Sequence, residues 1–258
     1  MTMMKLNKNK RIGKVLFIVE GEKTEIFILK KIFNEVLGYN YASINRRGKT
    51  IEKFSSINDI FSMVLVINSE KTNISSIEDG YEYLDNMFTE LNEKHGFMVE
   101  DARIYYLFDR DRAPGSNSDP DIIKQLLRTL KNSQDNGYDK PGMLLLSYPA
   151  IESFTLENFY KNTENMRFEL GNELKNSEEY KKINQSKISD STLKDAVNEL
   201  QKKLTQISIN YDIDDMSEAN INIFDTQEEI YNSEKKHMIL SLLAISLIDL
   251  GLIEIEND

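Results

Sequence analysis

Two clusters of acidic residues each follow directly after a short apolar run. Residues 15–19 (VLFIV) precede residues 20–25 (EGEKTE), and residues 104–108 (IYYLF) precede residues 109–111 (DRD). Apolar runs of this length, bounded by charges, are typical of buried parallel strands. Ligands of open α/β sheets collect at the carboxyl ends of such strands. Carboxylates at two strand ends therefore predict a divalent-metal site and, with it, phosphoryl chemistry.

A third acid occupies an equivalent position. Residues 143–147 (MLLLS) also read as a buried strand, Pro149 fixes its exit, and Glu152 follows. Asp109 and Asp111 are two positions apart, so along an extended chain both face the same side and can reach one cation. Mg²⁺ takes one or two protein carboxylates and completes its octahedron with water and phosphate. The alternative for each acid is an ordinary one: a solvated turn, or a glutamate favoured by a helix dipole.

The first cluster also invites comparison with a phosphate-binding P-loop, because Lys23 and Thr24 open a helical pattern. That motif requires glycine directly before the lysine and again six residues before it. Those positions hold Glu22 and Phe17. The sequence therefore excludes a P-loop, and Gly21 is interpreted as permitting a tight strand-to-helix turn.

The composition narrows the chemistry further. The chain of 258 residues has no cysteine and only two histidines, His95 and His237. Disulfides, thiolate sites and a cysteine nucleophile are excluded, and a histidine-rich zinc site or a Ser-His-Asp triad is not expected. A site built from carboxylate oxygens selects a hard cation, Mg²⁺ or Mn²⁺.

The charge distribution bears on a nucleic-acid substrate. The net charge of −11 argues against binding phosphates, but residues 1–14 carry five basic residues and no acid. The other candidates for contacting nucleic acid are Arg46, Arg47, Lys49, Arg110 and Arg112. The alternative is that these groups only solvate the surface.

The order of elements predicts the fold class. Strands are expected at residues 14–19, 41–45, 63–67, 104–108 and 143–147, and helices at residues 24–36, 80–94, 121–131, 191–207 and 226–250. Alternation of strands and helices with short joints is typical of an α/β fold, with a mostly parallel sheet flanked by helices. We predict a catalytic domain at residues 1–160, with an insertion at about 50–100, and a helical accessory region at residues 161–258.

The most apolar segment lies in that accessory region. Residues 238–248 (MILSLLAISLI) are about half the length of roughly 20 residues that spans a bilayer, so a buried helix and a cytoplasmic protein without a membrane partner are expected. The segment has more apolar width than one helical stripe requires. The helix either lies across the core of the first domain or buries its second face in a partner or a second copy of the chain, and the latter is predicted.

A strand ending in Glu20-Gly21, a helix, and a later strand ending in Asp109-Arg110-Asp111 resemble the Toprim domain of topoisomerases, primases and OLD-family nucleases. Residues 19–25, 108–111 and 149–152 are most similar to the RloB-like branch, which is associated with phage defence. The resemblance covers roughly residues 12–160. It implies a Rossmann-like sheet and a metal-dependent nucleic-acid active site.

The resemblance also implies roles for particular residues. Glu20 would be a general acid/base or a metal ligand, and Asp109 and Asp111 would be metal ligands. Glu25 and Glu152 are candidates for holding a second metal, although Glu25 lies one position later than the corresponding acid of OLD nucleases.

Two functions from different classes follow. The first is a metal-dependent nuclease acting on DNA or RNA, in which Lys23, Arg110 or Arg112 neutralises charge on the scissile phosphate. The resemblance implies that such a nuclease is the effector of an anti-phage system. The second is a non-catalytic adaptor whose C-terminal helices dock on a partner ATPase. Metal-dependent cleavage by the isolated protein discriminates the two.

Overall fold

The computed structural model describes residues 3–21, 23–46, 49–69, 81–110, 112, 119–134 and 142–256. The strands are β1 (Met3–Leu6), β2 (Lys14–Val19), β3 (Asn40–Arg46), β4 (Lys49–Ser55), β5 (Met63–Asn68), β6 (Ala102–Asp109), β7 (Lys131–Asn132), β8 (Gly142–Tyr148), β9 (Arg167–Phe168), β10 (His237–Met238), β11 (Leu240–Ser241) and β12 (Ile253–Glu256). The α-helices are α1 (Thr24–Lys30), α2 (Tyr81–His95), α3 (Pro120–Thr129), α4 (Glu152–Phe159), α5 (Gly171–Asn176), α6 (Glu178–Lys181), α7 (Asp190–Gln206), α8 (Ser217–Glu234) and α9 (Leu243–Asp249).

The main sheet is mixed and has helices packed against it, which confirms the α/β class. Its strand order is β11-β8-β6-β2-β5-β4-β3, and β7 also pairs with β8. The four central strands β8, β6, β2 and β5 are parallel. The outer strands β11, β4 and β3 run antiparallel to their neighbours.

The central strands are buried because both faces of the sheet are covered. Every residue of β8 is buried, as are the five apolar residues of β2 that follow Lys14. Strands buried on both faces read as continuous apolar runs rather than alternating ones, which is why these runs stand out in the sequence. Between neighbouring strands, Phe17 and Tyr105 stack with ring centroids 5.1 Å apart.

The five expected strands are confirmed, and three of the expected helices are found within one or two residues of the expected bounds (α2, α3 and α7). The helix expected at residues 24–36 is present, but its second half, Lys31–Val36, is π-helical. Within the insertion expected at about 50–100, the described residues form β4, β5 and α2, and the first two complete the main sheet.

The single helix expected at residues 226–250 is wrong. Helix α8 ends at Glu234, Lys235 adopts a left-handed φ of 58°, and β10, β11 and α9 follow. The apolar segment is surrounded by protein, so its sequence lacks the one-sided pattern that distinguishes a surface helix from buried strands. The side chains from Met238 to Leu240 and from Leu242 to Ile245 are all buried within the chain itself. These side chains therefore present no exposed second face to a partner, and partner binding or self-association stays a prediction.

The boundary expected near residue 160 is not supported by the packing. One apolar cluster contains Val15 and Leu145 from the first region together with Leu200 and Leu247 from the second. Strand β11 extends the main sheet through β8, and β12 pairs with β1 near the start of the chain. The C-terminal region is thus part of the same core. Among the described residues, no helix combines the length and the apolarity that a membrane crossing requires.

Candidate active site

The carboxyl ends of the four parallel strands meet at one edge of the sheet, as the strand register requires. A cleft of about 690 Å³, which we call the acid cleft, opens there. Its lining residues come from the ends of β2, β5 and β6, from the segment after β8 and from the helices α1, α4 and α5: Glu20, Gly21, Lys23, Thr24, Glu25, Asn68, Asp109, Ile151, Glu152 and Lys175. Four of the five acids predicted as metal ligands are therefore brought to one cleft.

Glu20 and Asp109 are held by the backbone around them. Glu20 Oε2 accepts a hydrogen bond of 2.9 Å from the backbone N–H of Asp109. Asp109 Oδ1 in turn accepts one of 2.8 Å from the N–H of Ile151, directly before α4. These bonds couple the ends of three strands, because each carboxylate is fixed by the chain that leaves a neighbouring strand.

Glu25 folds back from the first turn of α1 onto the strand exit. Its Oε1 accepts a hydrogen bond of 3.0 Å from the N–H of Gly21. A Cβ atom at position 21 would stand 2.6 Å from that same Oε1, closer than real Cβ atoms approach. Gly21 is therefore needed for the close approach of the Glu25 carboxylate.

Glu152 is the most buried acid of the cleft. Its side chain is 0% exposed at the N-terminal end of α4, where the helix dipole favours a negative charge. Lys175 Nζ lies 3.0 Å from Oε1. Oε2 has no hydrogen-bond partner among the residues that the structure describes. A buried carboxylate oxygen without a partner is costly, and it calls for a cation or a donor.

The acids raise one another's affinity for protons. Burial and then the negative charges of Glu20 and Glu25 raise the pKa of Asp109 well above its usual range. Burial also raises the pKa of Glu25, and the charge of Glu152 adds to that effect. Two of the acids thus resist ionisation together, and a bound cation would relieve that cost.

Lys175 is a site residue that the sequence analysis missed. It lies on the short helix α5, in the region expected to be accessory, and reaches the cleft through its pair with Glu152. Partial burial of the ammonium lowers its pKa, but the charges of Glu152 and Asp109 outweigh that effect and raise it overall. Lys175 is therefore positively charged at neutral pH and partly balances the acids.

Arg110 and Arg112 do not line the cleft, where neutralising charge on the scissile phosphate would require them. Successive residues of an extended chain point to opposite sides, so Arg110 leaves Asp109 on the side of α8. There Arg110 Nε lies 3.0 Å from Glu228 Oε1, its side chain is 3% exposed, and Arg112 pairs with the other oxygen of Glu228. A buried, paired guanidinium is not available to a phosphate.

His237 lies beside this arginine pair and is not a metal ligand candidate. Its ring is fully buried and stacks on Tyr231 with centroids 4.7 Å apart. Burial, followed by the charges of Arg110 and Arg112, lowers the pKa of His237 to about 3, so the ring is neutral. The ordinary structural role expected for His237 fits this placement, and the side chain of His95 lies outside the described residues.

The remaining predicted site residues are only partly described. Asp111 and Arg47 lie outside the described residues, and for Arg46 and Lys49 only the backbone is described. Arg46 pairs with Lys49 at the turn between β3 and β4. Because β4 runs antiparallel to β5, Arg46 and Lys49 lie at the same end of the sheet as the cleft, about 14 Å and about 10 Å from β2 at the usual strand spacing.

The donor set fits a hard divalent cation. The acids contribute only oxygen atoms, and the unpartnered Oε2 of Glu152 faces a site that would gain from a positive charge. Within the described part of the chain, no three acidic or histidine side chains stand ready to hold an ion together. Mg²⁺ does not require three, since it commonly binds through one or two carboxylates and keeps several waters.

Comparisons of this chain with models of protein families, with curated proteins and with solved structures find no match.

Proposed function

We propose that this protein is a Mg²⁺- or Mn²⁺-dependent phosphodiesterase that cleaves nucleic acid, with an active site of the Toprim type. The observation that carries the proposal is the convergence of Glu20, Glu25, Asp109 and Glu152 in one cleft at the carboxyl ends of parallel strands. The buried, unpartnered carboxylate oxygen of Glu152 is the second support, because it distinguishes this cleft from a merely acidic surface.

The acids would hold the cation in unequal ways. Asp109 and Glu152 are the acids that a bound cation would stabilise most. The pKa of Asp109 is raised well above its usual range, and the side chain of Glu152 is fully buried. Glu20, fixed through Oε2 by the Asp109 amide, remains the candidate general acid/base or additional ligand. When bound, Mg²⁺ or Mn²⁺ supplies a Lewis acid that activates water and offsets charge on the phosphate.

Two lysines are the candidates for the role that the sequence analysis gave to Lys23, Arg110 or Arg112. Lys23 and Lys175 both line the cleft, whereas Arg110 is sequestered by Glu228. An ammonium beside the scissile phosphate would stabilise the negative charge that develops there during in-line attack. Lys175 is fixed by Glu152 and would therefore be in place before the substrate arrives.

The approach of the substrate is supported by the position of basic residues. The turn that carries Arg46 and Lys49 lies at the cleft end of the sheet. A strand of nucleic acid that places one phosphate in the cleft could reach this turn with the next few phosphates. The anti-phage role stays a prediction from the resemblance.

The adaptor function loses the feature that suggested it. The apolar segment 238–248 packs inside the chain, and β11 within it pairs with β8 of the main sheet. A surface built for a partner ATPase therefore has no support from this segment.

The proposal is tested by incubating the purified chain with labelled single-stranded DNA, duplex DNA, RNA and tRNA. We expect cleavage of at least one substrate with Mn²⁺ or Mg²⁺ and none with EDTA. Cleavage that persists in EDTA would contradict a metal-dependent mechanism. No cleavage of any substrate by folded, metal-loaded protein would favour a binding or regulatory role instead.

A further inference from the structure

We propose that a groove beside the acid cleft binds an unpaired nucleobase next to the phosphate held in the cleft, so that the substrate of this site is single-stranded nucleic acid. The inference rests on the proposed function and specifies its substrate. We call this feature the aromatic groove. It measures about 490 Å³ and is lined by Lys23, Thr24, Phe27, Glu152, Lys175, Tyr180 and Gln185.

The aromatic groove is continuous with the acid cleft. The two share four lining residues: Lys23, Thr24, Glu152 and Lys175. A ligand whose phosphate binds beside the shared lysines can therefore extend in two directions. One leads to the acids of the cleft and the other leads into the aromatic groove. A nucleotide is a ligand of this kind, because a charged phosphate and a flat, largely uncharged base are joined through one sugar.

The chemistry of the lining changes from one end to the other in the same order as that of a nucleotide. Three acids line only the acid cleft, the two lysines and Glu152 line both, and three residues line only the aromatic groove: Phe27, Tyr180 and Gln185. Aromatic rings stack on any base, and a glutamine amide can both donate to and accept from the edge of a base.

The ring of Tyr180 is fixed in advance. It packs against the small apolar cluster of Leu156, Leu174 and Ile239, and Gln185 Nε2 donates a hydrogen bond to its hydroxyl. Burial, and then the charge of Glu152, raise the pKa of Tyr180 to about 12, so the phenol stays neutral and does not repel a phosphate. Ordering this ring costs little on binding, because the free protein already holds it.

Phe27 supplies the second ring. Its side chain is 36% exposed on α1, so part of the ring is accessible to a ligand in the aromatic groove. Lys31 Nζ lies 5.4 Å from the centroid of the ring. Lys31 is itself paired with Glu35 at 2.6 Å, so Phe27 contributes its accessible ring, on which a base can stack, rather than a free charge.

A base inside a duplex cannot enter the aromatic groove without leaving its stack. Extruding a paired base costs a few kcal/mol, and the cost is smallest for a base that is already unpaired. The arrangement therefore favours single strands, ends or loops over continuous duplex.

The test is fluorescence anisotropy with a short fluorescein-labelled oligothymidylate, alone and annealed to oligoadenylate, in Ca²⁺ to avoid turnover. We expect the full chain to bind the single strand more tightly than the duplex. Tyr180→Leu and Phe27→Leu, which keep apolar bulk but remove the ring, are each expected to weaken single-strand binding about 10-fold. Tyr180→Phe, which keeps the ring, should lose less affinity than Tyr180→Leu.

Matched controls separate this effect from a general loss of structure. Tyr211 also accepts a hydrogen bond from a glutamine, Gln201 Nε2 at 2.6 Å, but lies outside the aromatic groove. Phe61 is 58% exposed and likewise lies outside it. Tyr211→Leu and Phe61→Leu should leave single-strand binding unchanged.

The outcomes distinguish this inference from the proposed function. Equal binding of single strand and duplex, or unchanged affinity in both ring-removing variants, overturns the aromatic groove as a base site even if the protein cleaves nucleic acid. Weakened binding in those variants, without any metal-dependent cleavage by the unsubstituted protein, would keep the base site and overturn the nuclease.

Discussion

Asp109→Asn is expected to reduce metal-dependent cleavage by at least about a hundredfold. Loss of partners that only orient a metal ligand typically costs 10- to 100-fold, and a direct ligand should cost no less. The substitution is nearly isosteric, and asparagine keeps an Oδ1 atom that can accept from the N–H of Ile151 as Asp109 does at 2.8 Å. The fold and the helix start should therefore survive while the ligand charge is lost.

The same variant is expected to be more stable than the unsubstituted protein when metal is removed. The pKa of Asp109 is raised in the folded state, mainly by burial and then by Glu20, above the value of about 3.9 for the unfolded chain. Between these two values the stability contributed by this group falls as pH rises, and above the folded pKa the loss is complete. Asparagine does not titrate, so the gain should appear near neutral pH and vanish in acid.

The loss of activity is checked by cleavage rates in the presence of metal. The gain in stability is checked by thermal unfolding in EDTA at acidic and neutral pH. Asp101→Asn is the matched control, because Asp101 is an exposed partner of Lys14 at the opposite end of β6. It should change neither quantity. Cleavage by Asp109→Asn at the unsubstituted rate would remove Asp109 from the active site.

Lys203→Met is expected to destabilise the protein by about 3–5 kcal/mol. Lys203 Nζ lies 2.7 Å from Glu157 Oε1, and both side chains are 0% exposed. Removing the lysine leaves the Glu157 carboxylate buried without its cation. Burial already raises the pKa of Glu157 and the Lys203 charge opposes that rise, so the variant should take up a proton there as it folds.

Urea unfolding measures this cost, and the same helix provides the control. Lys194 Nζ lies 2.7 Å from Asp190 Oδ1 on α7, with both side chains partly exposed. Lys194→Met should cost less than about 1 kcal/mol, since exposed pairs contribute little. Adding Glu157→Gln to Lys203→Met should recover part of the loss, because no unpaired charge remains. Equal costs for the two single variants would show that the buried pair is not needed for folding.

The parallel strands and the acids at their ends were predictable from sequence for one physical reason. A strand covered on both faces is apolar throughout, and it ends where the chain meets solvent, so the runs before Glu20 and Asp109 mark both the strand and its functional end. Glu152 was placed at the same edge of the sheet for the same reason, because it follows the apolar strand β8.

The C-terminal contributions were not predictable in this way. Lys175 lies in a polar stretch with no periodic pattern, and its position depends on how α5 packs against α4. Glu228 stands among polar residues of α8 and gave no signal that it would pair with Arg110. Residues 238–248 are apolar on every side, so length and composition favoured a helix where the chain forms short strands.

The burial of Lys203 could have been predicted from the sequence of α7. In α7 the apolar side chains Leu193, Val197, Leu200 and Leu204 follow helical spacing, and Lys203 falls on the same stripe, three positions after Leu200. A lysine on an apolar stripe is almost never buried without a partner. That position could have predicted a buried acid opposite α7, although not that it is Glu157.

Titration of the purified protein with Mn²⁺ by isothermal calorimetry tests the central claim, that the acid cleft binds a divalent cation, most directly. We expect saturable binding to the unsubstituted protein, loss of that binding in Asp109→Asn, and tighter binding in Lys175→Met, because Lys175 is the cation that neutralises Glu152 at 3.0 Å. Asp101→Asn should bind Mn²⁺ as the unsubstituted protein does. Absence of binding to well-folded protein, or the same affinity in Asp109→Asn, would show that the acids of the cleft do not form a cation site.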